Sequence, residues 1–555
     1  MVCDGPPSER DALLKVIALS WRRYRKLDAG GYLELFDPDH VRASSRLGRP
    51  QRGSKAVSAA LPREWEAYER VDGAISARFT PRRVELWVDE TGDHATALYW
   101  LEVASTNARW SYDDQGLVLQ TFKKHRGMWR IAHHTDVWDL NYDLERQKPG
   151  QDVFSFDFVY PVRDLGRAVR FYTPLLGAPF HVGDDSARFQ MPGGQFVLDA
   201  DRLGGRARLA AGLPNGWGVT YVGDVAAERD RLARRGVRFV DGTDAELLKK
   251  GPDRYAIGLD SSSANPFVLA QRHYATDGPA PGELSGFTET GAAAAMAKRI
   301  AKAWLHTDAH TLGTLYGRNG RWLDSTRTAV RGLEDGQELP HTLDAYYWRS
   351  YDRSPRGLSA ELHADNLHVQ RAGRRSVVTH TMRLTGTGPQ PFRDTALVTH
   401  LLDADNRPLI TIIAPATADE NSQAMARQLD YTGYPVTSLK AAERFYRKTL
   451  DWGSPYQDDG WRGWWSRTES VFGIYTADPD QDGLPRSGVP SGYVSFWVHS
   501  ARRTYEWMRS EGSRFPEIPS INEGKAGISR FPGYTQVVGT DSEGNLLVLT
   551  EYTGK

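Results

Sequence analysis

Two side-chain doublets place chemistry on strands in this chain. His133 and His134 stand in "GMWRIAHHTDVW", and Trp464 and Trp465 in "GWRGWWSR". Neighbours on a strand point to opposite faces, so at most one of the histidines faces an interior, and the two tryptophans cannot enter one core. His380, in "VVTHTMRL", lies on a further alternating stretch. An imidazole titrates near neutrality and is a natural proton carrier. No phosphate loop, dinucleotide fingerprint or His-Glu-x-x-His accompanies these residues. The single cysteine, Cys3, rules out intrachain disulfides and multi-thiolate metal sites. What remains is cofactor-free acid/base work or plain binding.

The elements that must hold these residues are organised by repetition. At 555 residues the chain exceeds what one core serves. "YPVRDLGRAVRFYTPLLG" at Tyr160 returns as "YPVTSLKAAERFYRKTLDWG" at Tyr434, an offset of 274. "NPFVLAQ" at Asn265 and "NLLVLTE" at Asn545 repeat at 280, as do Asp114 and Asp394. Gly53 and Gly332 close similar segments 279 apart. The expectation is a tandem duplication of a two-domain unit, A-B-A-B. Polar linkers start at Glu145, Ala275 and Thr417 and set boundaries at 1–147, 152–276, 286–420 and 428–553.

Each A unit reads as an amphipathic helix (12–27; 292–307), long alternating strands from Arg82 and Asn366, and, in the first copy, a hairpin turning at Arg126-Gly127. Helices on one face of a curved antiparallel sheet make an α+β cone with a deep interior. Each B unit reads as two βαβββ halves, the second opening with "WGVTYVGDVAAERDRLARRGVRF" or "GYVSFWVHSARRTYEWMRSEGSRF". Lys plus Arg equals Asp plus Glu at 70 each, which gives no long-range field for nucleic acid. No apolar run approaches twenty residues, and the first residues lack the order of a signal peptide, so the expectation is a cytoplasmic protein without membrane spans. Seventeen Trp and 24 Tyr exceed what packing alone demands and point to aromatic-lined pockets.

On the strand-helix segments quoted, and on "DSSSANPFVLAQ" and "DSEGNLLVLTE" as the last turn and strand, the B units resemble the vicinal oxygen chelate superfamily of glyoxalases, extradiol dioxygenases and bleomycin-resistance proteins. That resemblance would place metal ligands at Asp157 and Tyr431, Trp217 and Tyr493, and Val268 and Val548. Trp and Val side chains offer no lone pair to a metal ion, so no metal is expected. Instead Trp217, Tyr160, Tyr493, Tyr434, Trp464 and Trp465 are expected to line a cavity where planar organic ligands stack.

On the helix, "GGYLELFDPDHV…RGSKAV" and "GMWRIAHHTDVW", the A units resemble the SnoaL-type polyketide cyclase, ketosteroid isomerase and nuclear transport factor 2 superfamily. In the isomerase branch a general-base Asp follows the "LF" pair by some eight residues. The resemblance puts that position at Ser44 in the first copy and Asp324 in the second, so only the second keeps the acid there, with Thr399 or His400 as second donor and His380 nearby. An Asp in an apolar pocket has its pKa raised, which improves it as a base. The resemblance implies a metal-independent isomerase, cyclase or ring-opening hydrolase of specialised metabolism. It would act on a bulky apolar or aromatic small molecule, with Asp324, His400 and His380 catalytic, no cofactor, and the A units forming an internal pseudo-dimer. Monomer or homodimer is left open. The alternative is a binding or self-resistance protein without turnover.

Overall fold

The computed structural model describes residues 2–65, 68, 70–105, 113–137, 156–191, 194–200, 216–221, 225–239, 248–250, 253–259, 266–271, 282–316, 320–324, 327–331, 357–386, 393–415, 426–450, 456–458, 460–465, 471–477, 492–531 and 534–552. The described chain is mixed α+β, with seven-, nine-, seven- and eight-stranded sheets in sequence order. No described helix is long and apolar enough to cross a membrane.

The first sheet runs Val2–Asp4, Ala77–Val88, His94–Ser105, Asp113–His125, Met128–Val137, Phe36–Ser44, Gln51–Arg52. The third runs in the corresponding order: Leu284–Ser285, Ala360–Ala372, Arg375–Gly386, Arg393–Leu402, Pro408–Pro415, Arg321–Asp324, Arg327–Arg331. The expected hairpin turns where Arg126 (φ 51°) and Gly127 (φ 79°) both adopt left-handed backbone, the geometry that matches strand twist. The helix expected over 12–27 starts earlier, at Pro7, and ends at Arg25. Proline lacks the amide hydrogen that a first helical turn leaves unused, so it suits that start.

Alternation along the strands builds two different faces. Leu13, Ile17, Trp21 and Tyr24 of the first helix, with Leu61 and Trp65 of helix Gly53–Trp65, are buried against Ala97, Tyr99, Val118 and Ile131. The intervening residues Leu98, Leu117, Leu119 and Val137 face the other way and meet Leu323, Val377, Leu401, Ile410 and Ile412 of the third sheet. The two seven-stranded sheets therefore pack back to back. Thr135 and Thr399 hydroxyls at 3.0 Å, and Arg321 paired to Glu85 at 2.8 and 2.9 Å, tie the contact.

The second and fourth sheets also share an order. The second has Ser186–Met191, Gly194–Asp199, Phe156–Pro161, Trp217–Tyr221, Pro266–Gln271 and Asp253–Leu259 side by side. The fourth has Trp461–Trp465, Val471–Thr476, Ala426–Val436, Tyr493–Val498, Leu546–Tyr552 and Tyr534–Thr540. Their halves pack across one another. Phe158, Tyr160, Phe171 and Tyr172 share a core with Val494, Phe496, Met508 and Leu547, whereas Val159, Trp217, Val219 and Phe267 share one with Tyr434, Tyr446, Trp464 and Phe472. Gly216 and Gly492 exchange backbone hydrogen bonds at 2.7 and 2.9 Å where the sheets cross. A Cβ at Gly216 would lie 2.3 Å from the Phe158 ring, so this close approach requires glycine.

Candidate functional site

Strand Phe36–Ser44 lies parallel to Met128–Val137, with Arg42 opposite His134 and Ser44 opposite Asp136. On the other side Gln120 lies opposite His134. Directly opposed residues share a face and the period along a strand is two, so Arg42, Ser44, Gln120, His134 and Asp136 all point to the helix-covered interior. Helix Gly53–Trp65 delivers Glu64 to the same place. Arg42 grips Glu64 with both terminal nitrogens, Nη2 donating to Oε2 at 2.6 Å, and its Nη2 stands 3.4 Å from Asp136 Oδ1. Ser44 Oγ donates to Asp136 at 3.1 Å and Tyr24 donates to Glu64 at 3.1 Å. Arg42 Nε donates to the Tyr32 hydroxyl at 3.3 Å. Arg42, Glu64, His134 and Asp136 are each at most 1% exposed.

The tautomer of His134 follows from its neighbours. Gln120 Nε2 lies 2.8 Å from Nδ1, and an amide nitrogen only donates, so Nδ1 accepts. The ring proton then sits on Nε2, which faces Asp136 Oδ1 at 3.5 Å. Burial lowers the His134 pKa below the ordinary imidazole value, while the neighbouring Asp136 works the other way. Burial raises that of Glu64, against the pull of Arg42 and with the help of Asp136's charge. Burial disfavours charge on Arg42 too, but Asp136 and Glu64 outweigh it and hold the guanidinium protonated. One cation facing two carboxylates sums to −1 when all are ionised. A dry interior tolerates a lone charge poorly, so an extra proton is favoured within the His134, Asp136 and Glu64 set. His134 Nε2 and Gln120 Oε1 are buried without a hydrogen-bond partner of normal geometry.

The third sheet holds the same positions with other residues. Trp322 opposes Thr411 and Asp324 opposes Ile413. Next door Thr411 opposes His400, Ile413 opposes Val398, and Val398 opposes His380. Compared row by row, His400 stands one strand to one side of the position that His134 takes in the first sheet, and Asp324 one strand to the other side of the position of Asp136. Asp324 and His400 are thus two strands and two residues apart, about 12 Å between backbones. The Asp324 side chain lies outside the described residues. His400 Nδ1 meets Thr411 Oγ1 at 2.8 Å, and Thr411 in turn meets the Tyr316 hydroxyl. The His380 ring lies 5.6 Å from that of His400 and 5.6 Å from Phe287, and neither of its nitrogens has a hydrogen-bond partner. Burial pushes His380 down to about 4 and lowers His400 as well. Both are neutral at pH 7.

One expectation changes on this geometry, and the histidine doublet is resolved by it. The first interior is not without its acid: Ser44 occupies the aligned position, but Asp136 stands opposite it and is hydrogen-bonded to it. The inward member of the histidine doublet is His134. His133 turns to the sheet-sheet contact, where its Nε2 meets Thr135 at 2.8 Å and Thr379 at 3.3 Å. Arg42, Glu64 and Asp136 were missed as site residues. The spacing of Arg42 to Ser44 and of His134 to Asp136, two apart on strands, was an available signal, while Glu64 carried none.

The aromatic residues expected to line pockets sit in packed cores. The Tyr160 hydroxyl accepts from the Val494 amide at 3.1 Å and donates to the Leu546 carbonyl, and the Tyr434 hydroxyl accepts from the Gly218 amide at 2.6 Å. These phenols clamp one sheet to the other. Trp464 lies 5.3 Å from Tyr446, Tyr493 lies 5.5 Å from Tyr475, and Trp217 is buried with Val219 and Phe267. The Trp465 side chain is outside the described residues. At the positions the chelate resemblance assigns to ligands, Trp217, Val268 and Val548 offer no donor, and they sit in apolar cores. These residues do not fit a divalent ion.

No family model and no curated protein matches the chain. Solved structures with a likeness cover about a quarter of it. One is a protein of unknown function with a cystatin-like fold from Nostoc punctiforme, at 15% identity over 25% of this chain and 98% of that one, TM-score 0.22. Another is an NTF2-like protein with a cystatin-like fold from Novosphingobium aromaticivorans, at 19% identity over 24% and 85%, TM-score 0.21. A third is the hexachlorocyclohexane dehydrochlorinase LinA-type3 from Novosphingobium barchaimii, at 10% identity over 24% and 88%, TM-score 0.21.

Proposed function

We propose that this protein is a metal-independent acid/base catalyst that moves a proton on a small apolar or aromatic molecule within the first cone, in the manner of an isomerase or cyclase. The observation that carries this is the His134–Asp136 contact at 3.5 Å, set against the Arg42–Glu64 pair in a dry interior. With Nε2–H held toward Asp136, His134 takes a proton from a substrate carbon on Nδ1, the nitrogen that Gln120 yields to the ligand, and returns it from Nδ1 to a neighbouring carbon. Asp136 balances the imidazolium that forms, and Ser44 and Arg42 hold the carboxylate in place. Low dielectric strengthens each of these interactions. The second cone is a weaker centre of the same kind, with His380 facing a ligand, His400 oriented by Thr411, and Asp324 as base. We read the matching strand orders as a duplicated pair of domains, a cone and a βαβββ unit, whose boundaries follow the linkers. In that reading the two cones form the internal pseudo-dimer and the βαβββ units resemble vicinal oxygen chelate domains that have given up metal for packing.

Solvent-deuterium exchange into an enolisable aromatic ketone such as 2-tetralone, followed by mass spectrometry, tests the proposal. His134→Gln and Asp136→Asn are expected to abolish exchange above the buffer rate, while Asp324→Asn retains it. Loss in Asp324→Asn alone would move the centre to the second cone. A wild-type protein that quenches its tryptophan fluorescence on ketone binding yet never exchanges would leave the binding-only alternative.

A further inference from the structure

Between the two cones, away from either interior, lies a cleft of about 350 Å³. One wall is helix Gly53–Trp65, which presents Ala56, Ala59, Ala60 and Arg63 at helical spacing, with Arg49 and Gln51 just before it. The other wall is the back of the third sheet, with Thr381, Arg383 and Asp365. Thr381 Oγ1 donates to the Gly48 carbonyl at 3.1 Å and joins the walls. Asp365 holds Arg383 at 2.6 Å and so fixes a guanidinium at the rim of the space. The ladder slips between Asp365 and His368, and Asn366 there adopts φ 52°. Such bulges re-aim side chains and gather beside binding sites.

The charge of the cleft departs from that of the chain. Lysines and arginines balance acids overall at 70 each, whereas among the described residues that line this concave space three are arginine and one is aspartate, so the lining leans positive. Low-dielectric walls focus such a field. Guanidinium forks match carboxylate and phosphate oxygens, and the alanine stripe offers an apolar bed for the rest of a molecule. The volume falls within the range of small-ligand pockets. We propose that this cleft binds a small organic anion, an aromatic or aliphatic body bearing one carboxylate or phosphate, with Arg49 and Arg63 from one cone and Arg383 from the other around its head group. Such an anion bridges the cones and so reports on, or steadies, their contact.

Isothermal titration of the full-length protein with benzoate, phenyl phosphate and uncharged benzyl alcohol tests this. Saturable one-to-one binding of at least one anion, at least tenfold tighter than benzyl alcohol and weakening as KCl rises, is expected, and the tighter anion names the head group. Arg49→Gln/Arg63→Gln should weaken it at least tenfold without changing the thermal midpoint of the ligand-free protein, since both side chains are exposed. Anions no tighter than the alcohol, or equal affinity in the double variant, would overturn the proposal. The acid/base reading of the first cone stands or falls separately.

Discussion

Acid should loosen the third-sheet cone through His380, and the size of the effect follows from burial. The side chain is 1% exposed with both nitrogens unpartnered, and its pKa is pushed down to about 4. In the unfolded chain an imidazole titrates near 6.5. Above that pH both states are neutral at this position. As pH falls below 6.5 the unfolded chain takes up a proton that the folded chain refuses until about pH 4, so stability drops through this window and levels off beneath it. Each pKa unit corresponds to about 1.4 kcal/mol, so the share of His380 lost between pH 7 and pH 4.5 is about 2–3 kcal/mol. The assay is urea unfolding at pH 7, 5.5 and 4.5, read by intrinsic tryptophan fluorescence, to which Trp304 and Trp322 of the same layer contribute. His380→Leu removes the titrating group, and its pH slope should be shallower by that amount. A residual slope remains in the variant because burial also pushes His133 down to about 3. Equal slopes in the two proteins would refute the reasoning, as would an imidazole resonance of His380 that titrates near 6.5.

Removing Arg42 strands two buried carboxylates, so Arg42→Met should cost about 3–5 kcal/mol in denaturant unfolding, and Arg42→Met/Glu64→Leu should recover at least half of it. Tyr160→Phe frees two buried backbone groups, at Val494 and Leu546. At about 1–3 kcal/mol per buried group, thermal denaturation should show a loss of about 2–6 kcal/mol. Gly282→Ala would set a Cβ 1.2 Å from the Ala360 carbonyl oxygen, so amide exchange at Leu284 and Ser285 should accelerate as that short strand detaches.

Much of the framework was legible along the chain because it is written in local periods. The Arg126-Gly127 turn needs two left-handed residues, and the strands on either side alternate, so the hairpin was placed correctly. The helix over Ala292–Leu305 carries its apolar spacing openly. The site was harder to read. Matching Ser44 to an acid position suggested a cone without its carboxylate, because alignment follows one strand at a time. Asp136 restores the carboxylate from the neighbouring strand, and only the parallel register of Phe36–Ser44 with Met128–Val137 reveals it. The aromatic residues misled for a related reason: a tyrosine near the end of a strand reads the same whether its hydroxyl meets a ligand or, like Tyr160, the backbone of a sheet more than 300 residues away.

Sequence alone determined the element types, the repeated order of the segments and the chemistry its residues could supply, since these depend on spacing along one strand or helix and on side-chain identity. Tertiary structure alone decided that Glu64 reaches Arg42, that His134 rather than His133 turns inward beside Asp136, and that Arg49 and Arg63, on a helix and the segment before it, share one cleft with Arg383 of the third sheet. Such juxtapositions depend on which strands and helices lie side by side, and no one-dimensional period encodes the register and packing that bring them together.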